Sequence, residues 1–383
     1  MENNGMKILG WVVLAIVVIG GGWYLLSHGG TAANETGPIK IGIIGPFTGD
    51  AASYGEPYQK TVQLAVDQIN AKGGINGRQI EPIFEDGQCT GPNAVSAAQK
   101  LINVDGVQAI IGGFCSGETI PVAPIAEQAK VLLFSPAASS PALTGISHYF
   151  FRDYPSDNTQ GKVLADAAIA KGWKKVAFMQ EQTDYAAGVY NAFNQSFTAA
   201  GGTTDNQAFP TDTADFRSML TKLKNDKPDA LFIDTQTGAE TGRVLEQLQQ
   251  LGWKPPLLVD DATALDTATV SANSAVLEGA FTAVFLPDAS SSQFTALVNA
   301  YKQKYGEDMP YQGYMATSYD AVNLIAEGIA KVGDNGAKLA DWSRTISGYA
   351  GASGSITIKS DGDRASGHTL EVIHNGVATP VTQ

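Results

Sequence analysis

Residues 107–144 read VQAIIGGFCSGETIPVAPIAEQAKVLLFSPAASSPALT. Two short apolar runs, 107–111 and 131–134, each empty into a polar turn, the first Gly-Gly-Phe-Cys-Ser-Gly and the second Ser-Pro-Ala-Ala-Ser-Ser-Pro. The spacing predicts a helix over 118–130 between them, with Pro121 and Pro124 near its start. A strand–loop–helix–strand–loop unit of this kind makes parallel strands joined by a right-handed crossover. Both polar loops then fall at the carboxyl ends of the strands, where open α/β sheets bind ligands. Cys115, Ser116 and Gly117 would offer a hydroxyl and free N–H groups at a helix start, a seat for a small anion such as a carboxylate. The alternative is a pair of ordinary tight turns.

The same alternation runs through the rest of the chain. Strands are expected at 39–45, 79–85 and 148–152, and helices at 58–71 and 92–103. The pattern restarts at Asp157, with helices at 159–170, 185–200, 215–225 and 239–251 and strands at 175–179, 230–234, 257–259 and 280–285. Helices at 292–305, 314–331 and 337–347 and strands at 355–358 and 369–374 close the chain. This order predicts two α/β lobes. A chain of 383 residues, 44% hydrophobic, is long enough for two cores.

The formal charge of −13 and the lack of any basic run exclude nucleic acid as a partner. No phosphate loop, no G-x-G-x-x-G after the first strand and no G-x-S-x-G elbow is present, so no cofactor and no enzyme activity is expected. The four histidines, His28, His148, His368 and His374, have no metal-ligand spacing to the two cysteines, so no metal is expected. Cys89 and Cys115 can form a disulfide or stay as two thiols.

Residues 8–27, ILGWVVLAIVVIGGGWYLLS, form an uncharged apolar run with Trp11, Trp23 and Tyr24 near its ends. This is long enough to span a bilayer, and the aromatics suit its interfaces. The expected layout is a short cytoplasmic N-terminus at 1–7, a transmembrane anchor at 8–27 and a linker at 28–38. A cleaved signal peptide is the alternative, since residues 31–33 are small enough for a peptidase. In either case the two lobes are exported.

A family resemblance rests on an ordered series of segments. These are IKIGIIGPFTGDAASYGEPYQKTVQLAVDQINAKGGINGRQIEPIFED at 39–86, QKLINVDGVQAIIGGFCSGET at 99–119, SPAASSPALT at 135–144, QTDYAAGVYNAF at 182–193, DFRSMLTKLKNDKPDALFI at 215–233 and TSYDAVNLIAEGI at 317–329. The series resembles the leucine/isoleucine/valine-binding proteins, type I periplasmic solute-binding proteins of ABC transporters. The resemblance implies two Rossmann-like lobes joined by three crossovers, with lobe 1 at 39–155 plus 288–362 and lobe 2 at 157–285 plus 366–383. It implies a Cys89–Cys115 disulfide, a monomer, and an ABC permease as partner.

It also implies a site. Ser116 matches the serine that bonds the ligand carboxylate, Ser139 a threonine that touches carboxylate and ammonium, and Ala137 a backbone carbonyl for the ammonium. Tyr185 matches a lobe 2 tyrosine, Tyr54 and Tyr314 match aromatic walls, and Asp261 stands where the family often has a glutamate for the ammonium. Such a set suits a zwitterion, which when buried needs donors at one end and a negative charge at the other. Thr237 takes the place of an aromatic residue, which makes that wall smaller and more polar. The expected function is capture of an amino acid, branched-chain or related, for an ABC permease. The alternative is a receptor ectodomain that senses an amide, urea-like or other small polar solute.

Overall fold

The computed structural model describes residues 37–381. The anchor expected at 8–27 lies outside the described residues. Among the described residues no helix is long and apolar enough to cross a membrane.

Strand β1 (Ile39–Gly45) lies inside the first sheet, paired along both of its edges. All of its side chains but Lys40 are buried, because helices cover both faces. Helix α1 (Ala52–Ala71), β2 (Ile80–Asp86), α2 (Gly91–Lys100), β3 (Ala109–Ile111), α3 (Ser116–Ala129), β4 (Leu132–Ser135) and β5 (Phe150–Arg152) come next. The five strands are parallel in the order β2-β1-β3-β4-β5. At the end of β3 the chain turns within contact of β1. Gly112 has φ +128°, and a Cβ there would stand 2.2 Å from the Ile44 carbonyl oxygen, so only glycine fits.

The chain then enters a second sheet. Its elements are α4 (Asp157–Ala170), β6 (Lys175–Glu181), α5 (Asp184–Ala199), β7 (Thr203–Phe209), α6 (Arg217–Asn225), β8 (Ala230–Asp234), α7 (Gly238–Gln250) and β9 (Leu257–Val259). Three short helices, α8 (Asp261–Leu265), α9 (Thr267–Ala272) and α10 (Ser274–Leu277), lead to β10 (Phe281–Val284). The chain next returns to the first lobe as α11 (Ser292–Tyr305), α12 (Gln312–Val332), α13 (Gly336–Ser343) and the small hairpin β11 (Tyr349–Gly351) and β12 (Gly354–Ile356). It crosses back to add β13 (Thr369–His374) and β14 (Val377–Pro380) to the second sheet, antiparallel, in the order β14-β13-β10-β9-β8-β6-β7. Three passages therefore join two α/β lobes of the type I binding-protein architecture.

The expected elements recur with shifted ends and some additions. Helix α1 starts at Ala52, six residues before the expected 58, with Pro57 inside its second turn. Helix α3 starts at Ser116 rather than 118. Strand β7, TTDNQAF, is an addition, hidden in the sequence because it carries almost no apolar residues. It lies at the sheet edge, where exposure tolerates polar side chains. The helices α8–α10 are also additions. They are too short for a hydrophobic period to register, and their starts are marked only by the caps Asp260 and Asp266.

Candidate ligand cleft

Lobe 1 presents two loops to the gap between the lobes. The first is the turn from β3 into α3. Cys115 caps α3 and is joined to Cys89 by a disulfide with Cα atoms 5.3 Å apart. Closing a loop of 26 residues contributes about 3.5 kcal/mol in the chain-entropy model. The buried Glu118 carboxylate accepts from the Cys115 N–H (3.0 Å) and the Cys89 N–H (2.9 Å), which ties the helix start to the other half of the disulfide. Burial pushes the Glu118 carboxyl up to about 7, against the pull of these donors.

The second loop comes after β4. The Ser135 hydroxyl donates to the Gly113 carbonyl (2.7 Å) and accepts from the Ala138 N–H (3.0 Å). The Ser140 N–H donates to the Ser116 hydroxyl oxygen (3.1 Å), so the two loops are bonded together. That bond uses an acceptor lone pair of Ser116 and leaves its O–H as a donor. Beneath the loop lies Arg152, fully buried. It donates to the carbonyls of Ala138 (3.2 Å) and Ser140 (2.9 Å), to the Thr144 hydroxyl (3.0 Å) and to Asp363 (2.7 Å).

Lobe 2 answers with acid and phenol. Asp261 opens α8 and is fully buried. The Tyr185 hydroxyl, near the start of α5, donates to its Oδ1 (2.5 Å), and the Tyr154 hydroxyl, from the passage between the lobes, donates to its Oδ2 (2.6 Å). His368 Nε2 lies 3.6 Å from the same Oδ2. Burial alone would raise the Asp261 carboxyl. The neighbouring His368 and the two phenol donors outweigh it and hold the group below its usual value. The adjacent Asp260 is used differently, as the cap of α8. It accepts from the N–H groups of Thr263 (2.7 Å) and Thr235 (2.5 Å), and burial pushes it up to about 7.

Between the lobes lies a cavity of about 20 Å³. Ser116, Ala137 and Ser139 from the two lobe 1 loops line it, with Tyr54 and Tyr314 on the same side and Tyr185 opposite. The Tyr54, Phe114 and Tyr314 rings pack with centroids 5.5–5.9 Å apart, and the Tyr54 hydroxyl crosses the gap to donate to the Gln236 carbonyl (3.0 Å). Six of the eight residues proposed from the sequence thus surround one space. Asp261 stands behind the wall, in contact with Tyr185 and beside the lining residue Ala262. Thr237 is placed elsewhere. It caps α7, its hydroxyl accepting from the Glu240 N–H (3.3 Å), and it faces an outer groove. Its neighbour Gln236 lines both spaces. Phe114, Gln236, Tyr154 and His368 join the site beyond those eight. For Tyr154 and His368 no local signal exists, because the passages between lobes carry no periodicity.

Two lobes closing on a small cavity, with a helix start on one side and a buried carboxylate on the other, define a solute-binding protein. The chain belongs to the periplasmic binding protein family, whose model matches residues 38–372. That family is one of solute-binding proteins, not of enzymes. The leucine-, isoleucine-, valine-, threonine- and alanine-binding protein of Pseudomonas aeruginosa is 30% identical over 300 residues, covering 77% of this chain and 79% of that protein. A Leu/Ile/Val-binding protein of Rhizobium johnstonii is 30% identical over 305 residues, covering 77% of this chain and 80% of the relative. Among solved structures, the leucine-binding protein LivK of Thermotoga maritima aligns with a TM-score of 0.82 at 28% identity, covering 90% of this chain and 98% of that one. The branched-chain amino acid binding protein LivJ of Streptococcus pneumoniae, in complex with isoleucine, aligns at 0.79 with 28% identity, covering 89% and 97%.

Proposed function

We propose that this protein captures an α-amino acid outside the cytoplasm and delivers it to an ABC transporter permease. The observation that carries this reading is the opposed polarity of the cleft. The start of α3 and the Ser116 hydroxyl stand on one side, and the buried, ionised Asp261 stands on the other. An amino acid has a carboxylate for the first and an ammonium for the second. The amino-acid specificities named for the relatives support the same class of ligand.

In this reading Ser116 and the first amides of α3 bind the carboxylate, where helix N–H groups lack carbonyl partners. The Ser139 hydroxyl bridges both ends, the Ala137 carbonyl and Asp261 take the ammonium, and Tyr185 orients Asp261. Tyr54 and Tyr314 form the wall for the ligand side chain. Of the pair at the end of β8, Gln236 sets the polarity of that wall more directly than Thr237, because it lines the cavity. The lobes comprise 39–155 plus 288–362 and 157–285 plus 366–383, hinge-bending about the three passages. The chain acts as a monomer, held at the membrane by residues 8–27.

A thermal-shift screen of the protein against the twenty amino acids, sugars, urea and simple amides tests the proposal. An amino acid at a hundred times its dissociation constant should add about 2.7 kcal/mol of stability and raise Tm accordingly. A rise with sugars or amides alone would contradict it.

A further inference from the structure

We propose that Asp157 takes the cationic group of the bound amino acid on its unpartnered oxygen, and that it releases a proton to solvent as the ligand binds. This rests on the amino-acid reading above and adds the residue and the proton to it.

Asp157 is the first residue of α4 and is fully buried. Its N–H donates to the Ser139 carbonyl (2.9 Å), which places it directly behind a residue of the cavity wall. One carboxyl oxygen accepts from the Gln160 side chain (3.2 Å). The other, Oδ2, is buried with no hydrogen-bond partner among the described residues. A buried carboxyl oxygen left unbonded is costly, so a native structure that keeps one points to a partner that arrives later. Asp261 differs, since each of its oxygens already accepts from a tyrosine. It meets the ammonium only through its remaining lone pairs, while Asp157 adds an oxygen that is wholly open.

The charges around Asp157 decide its state before the ligand arrives. Asp260 and Asp261 face it from the junction of β9 and α8, and Asp234 from the end of β8. The Tyr154, Tyr185 and Tyr314 phenols face it from the interlobe passage, α5 and α12. Two neighbours favour its ionised form, the Ser139 hydroxyl and Arg152 at the end of β5, which is already paired to Asp363. His368 bonds Thr159 on the same helix as Asp157 and turns its other nitrogen to Asp261. Burial first, and then the charge of Asp261, push the Asp157 carboxyl well above its usual range, so the ligand-free site favours the protonated form.

An arriving ammonium reverses this balance. The neutral carboxyl and the R–NH3+ group become a carboxylate–ammonium pair, and one proton passes to solvent. Acid favours the protonated, ligand-free site, so affinity rises with pH until Asp157 ionises unaided, at most about tenfold per pH unit.

Calorimetric titration of the full-length protein in mild detergent with L-leucine, L-isoleucine, L-valine, L-threonine and L-alanine tests this at pH 6.5. Each is run in two buffers of different ionisation enthalpy. The expected result is a buffer-dependent heat that reports net release of protons on binding. The Asp157→Asn variant should release none and bind roughly 30-fold or more weakly. The des-amino analogue of a bound amino acid should release none from the unaltered protein, so the test stands even if the variant fails to fold. Amino-acid binding with no proton released, or the same release from Asp157→Asn, would overturn the inference alone. If none of the five binds, the titration is run with the remaining amino acids, and if none of the twenty binds the amino-acid reading fails and takes this inference with it.

Discussion

Asp261→Asn is expected to weaken amino-acid binding by roughly 30-fold to several thousand-fold, the 2–5 kcal/mol lost when one member of a buried, hydrogen-bonded charge pair is removed. The substitution keeps the shape of the side chain and removes its charge. Asp261 is fully buried, and His368 with the hydroxyls of Tyr154 and Tyr185 holds its carboxyl ionised. A ligand ammonium desolvated beside the neutral amide of the variant would keep its burial cost and lose the opposing charge. The pH dependence has a definite sign. The folded Asp261 titrates below its ordinary value, so its contribution is fully present at neutral pH and fades only in strong acid. Weakening of affinity between pH 7 and 5 therefore does not come from Asp261, and its disappearance in Asp157→Asn is what separates Asp157 from Glu118 and Asp260, which burial also pushes up to about 7. Titration calorimetry of the variant at pH 7 reads the effect directly, and a dissociation constant within threefold of the unaltered protein would remove Asp261 from the site.

The second large effect is on stability. Arg152→Met should cost about 3–5 kcal/mol, because it removes one partner of a buried ion pair and strands the other. Asp363 would keep the half-buried Thr144 hydroxyl (2.8 Å) and the exposed Lys359 ammonium at 3.7 Å, and the carbonyls of Ala138 and Ser140 would lose their guanidinium donor. These carbonyls flank Ser139, so the variant should also bind ligand less tightly even where it is folded. Urea unfolding followed by circular dichroism measures the loss. Adding Asp363→Asn removes the stranded charge and should restore part of it. A loss below about 1 kcal/mol would mean that the guanidinium is not an internal strut.

Much of this arrangement is legible in the residues and some is not. The segment 107–144 reads as strand, loop, helix, strand and loop, and the structure builds β3, α3 and β4 from it with their polar turns facing the cleft. This works because buried parallel strands are apolar throughout and their loops abruptly polar. Cys89 and Cys115 are joined as the family resemblance implies. Strand β7 is illegible because an edge strand need not be apolar, and α1 reads short because Pro57 looks like a start and is instead carried inside the helix. The lobe 2 side of the site is partly legible. Thr237 is one residue from Gln236, which lines the cavity, and strand ends cannot be placed that finely from sequence. Tyr154, Asp157 and His368 carry no signal of their own, because their meeting with Asp261 depends on two passages between lobes, more than 200 residues apart along the chain. The expected anchor at 8–27 lies outside the described residues.

The central claim is that the cleft reads both poles of an amino acid. Titration calorimetry of three ligands tests it most directly: the amino acid with the largest thermal shift, its des-amino acid, and its decarboxylated amine. Tight binding of the amino acid alone, with both one-poled analogues weakened by at least roughly 30-fold, is the expected result. An acid or an amine that binds as tightly as the amino acid would contradict it.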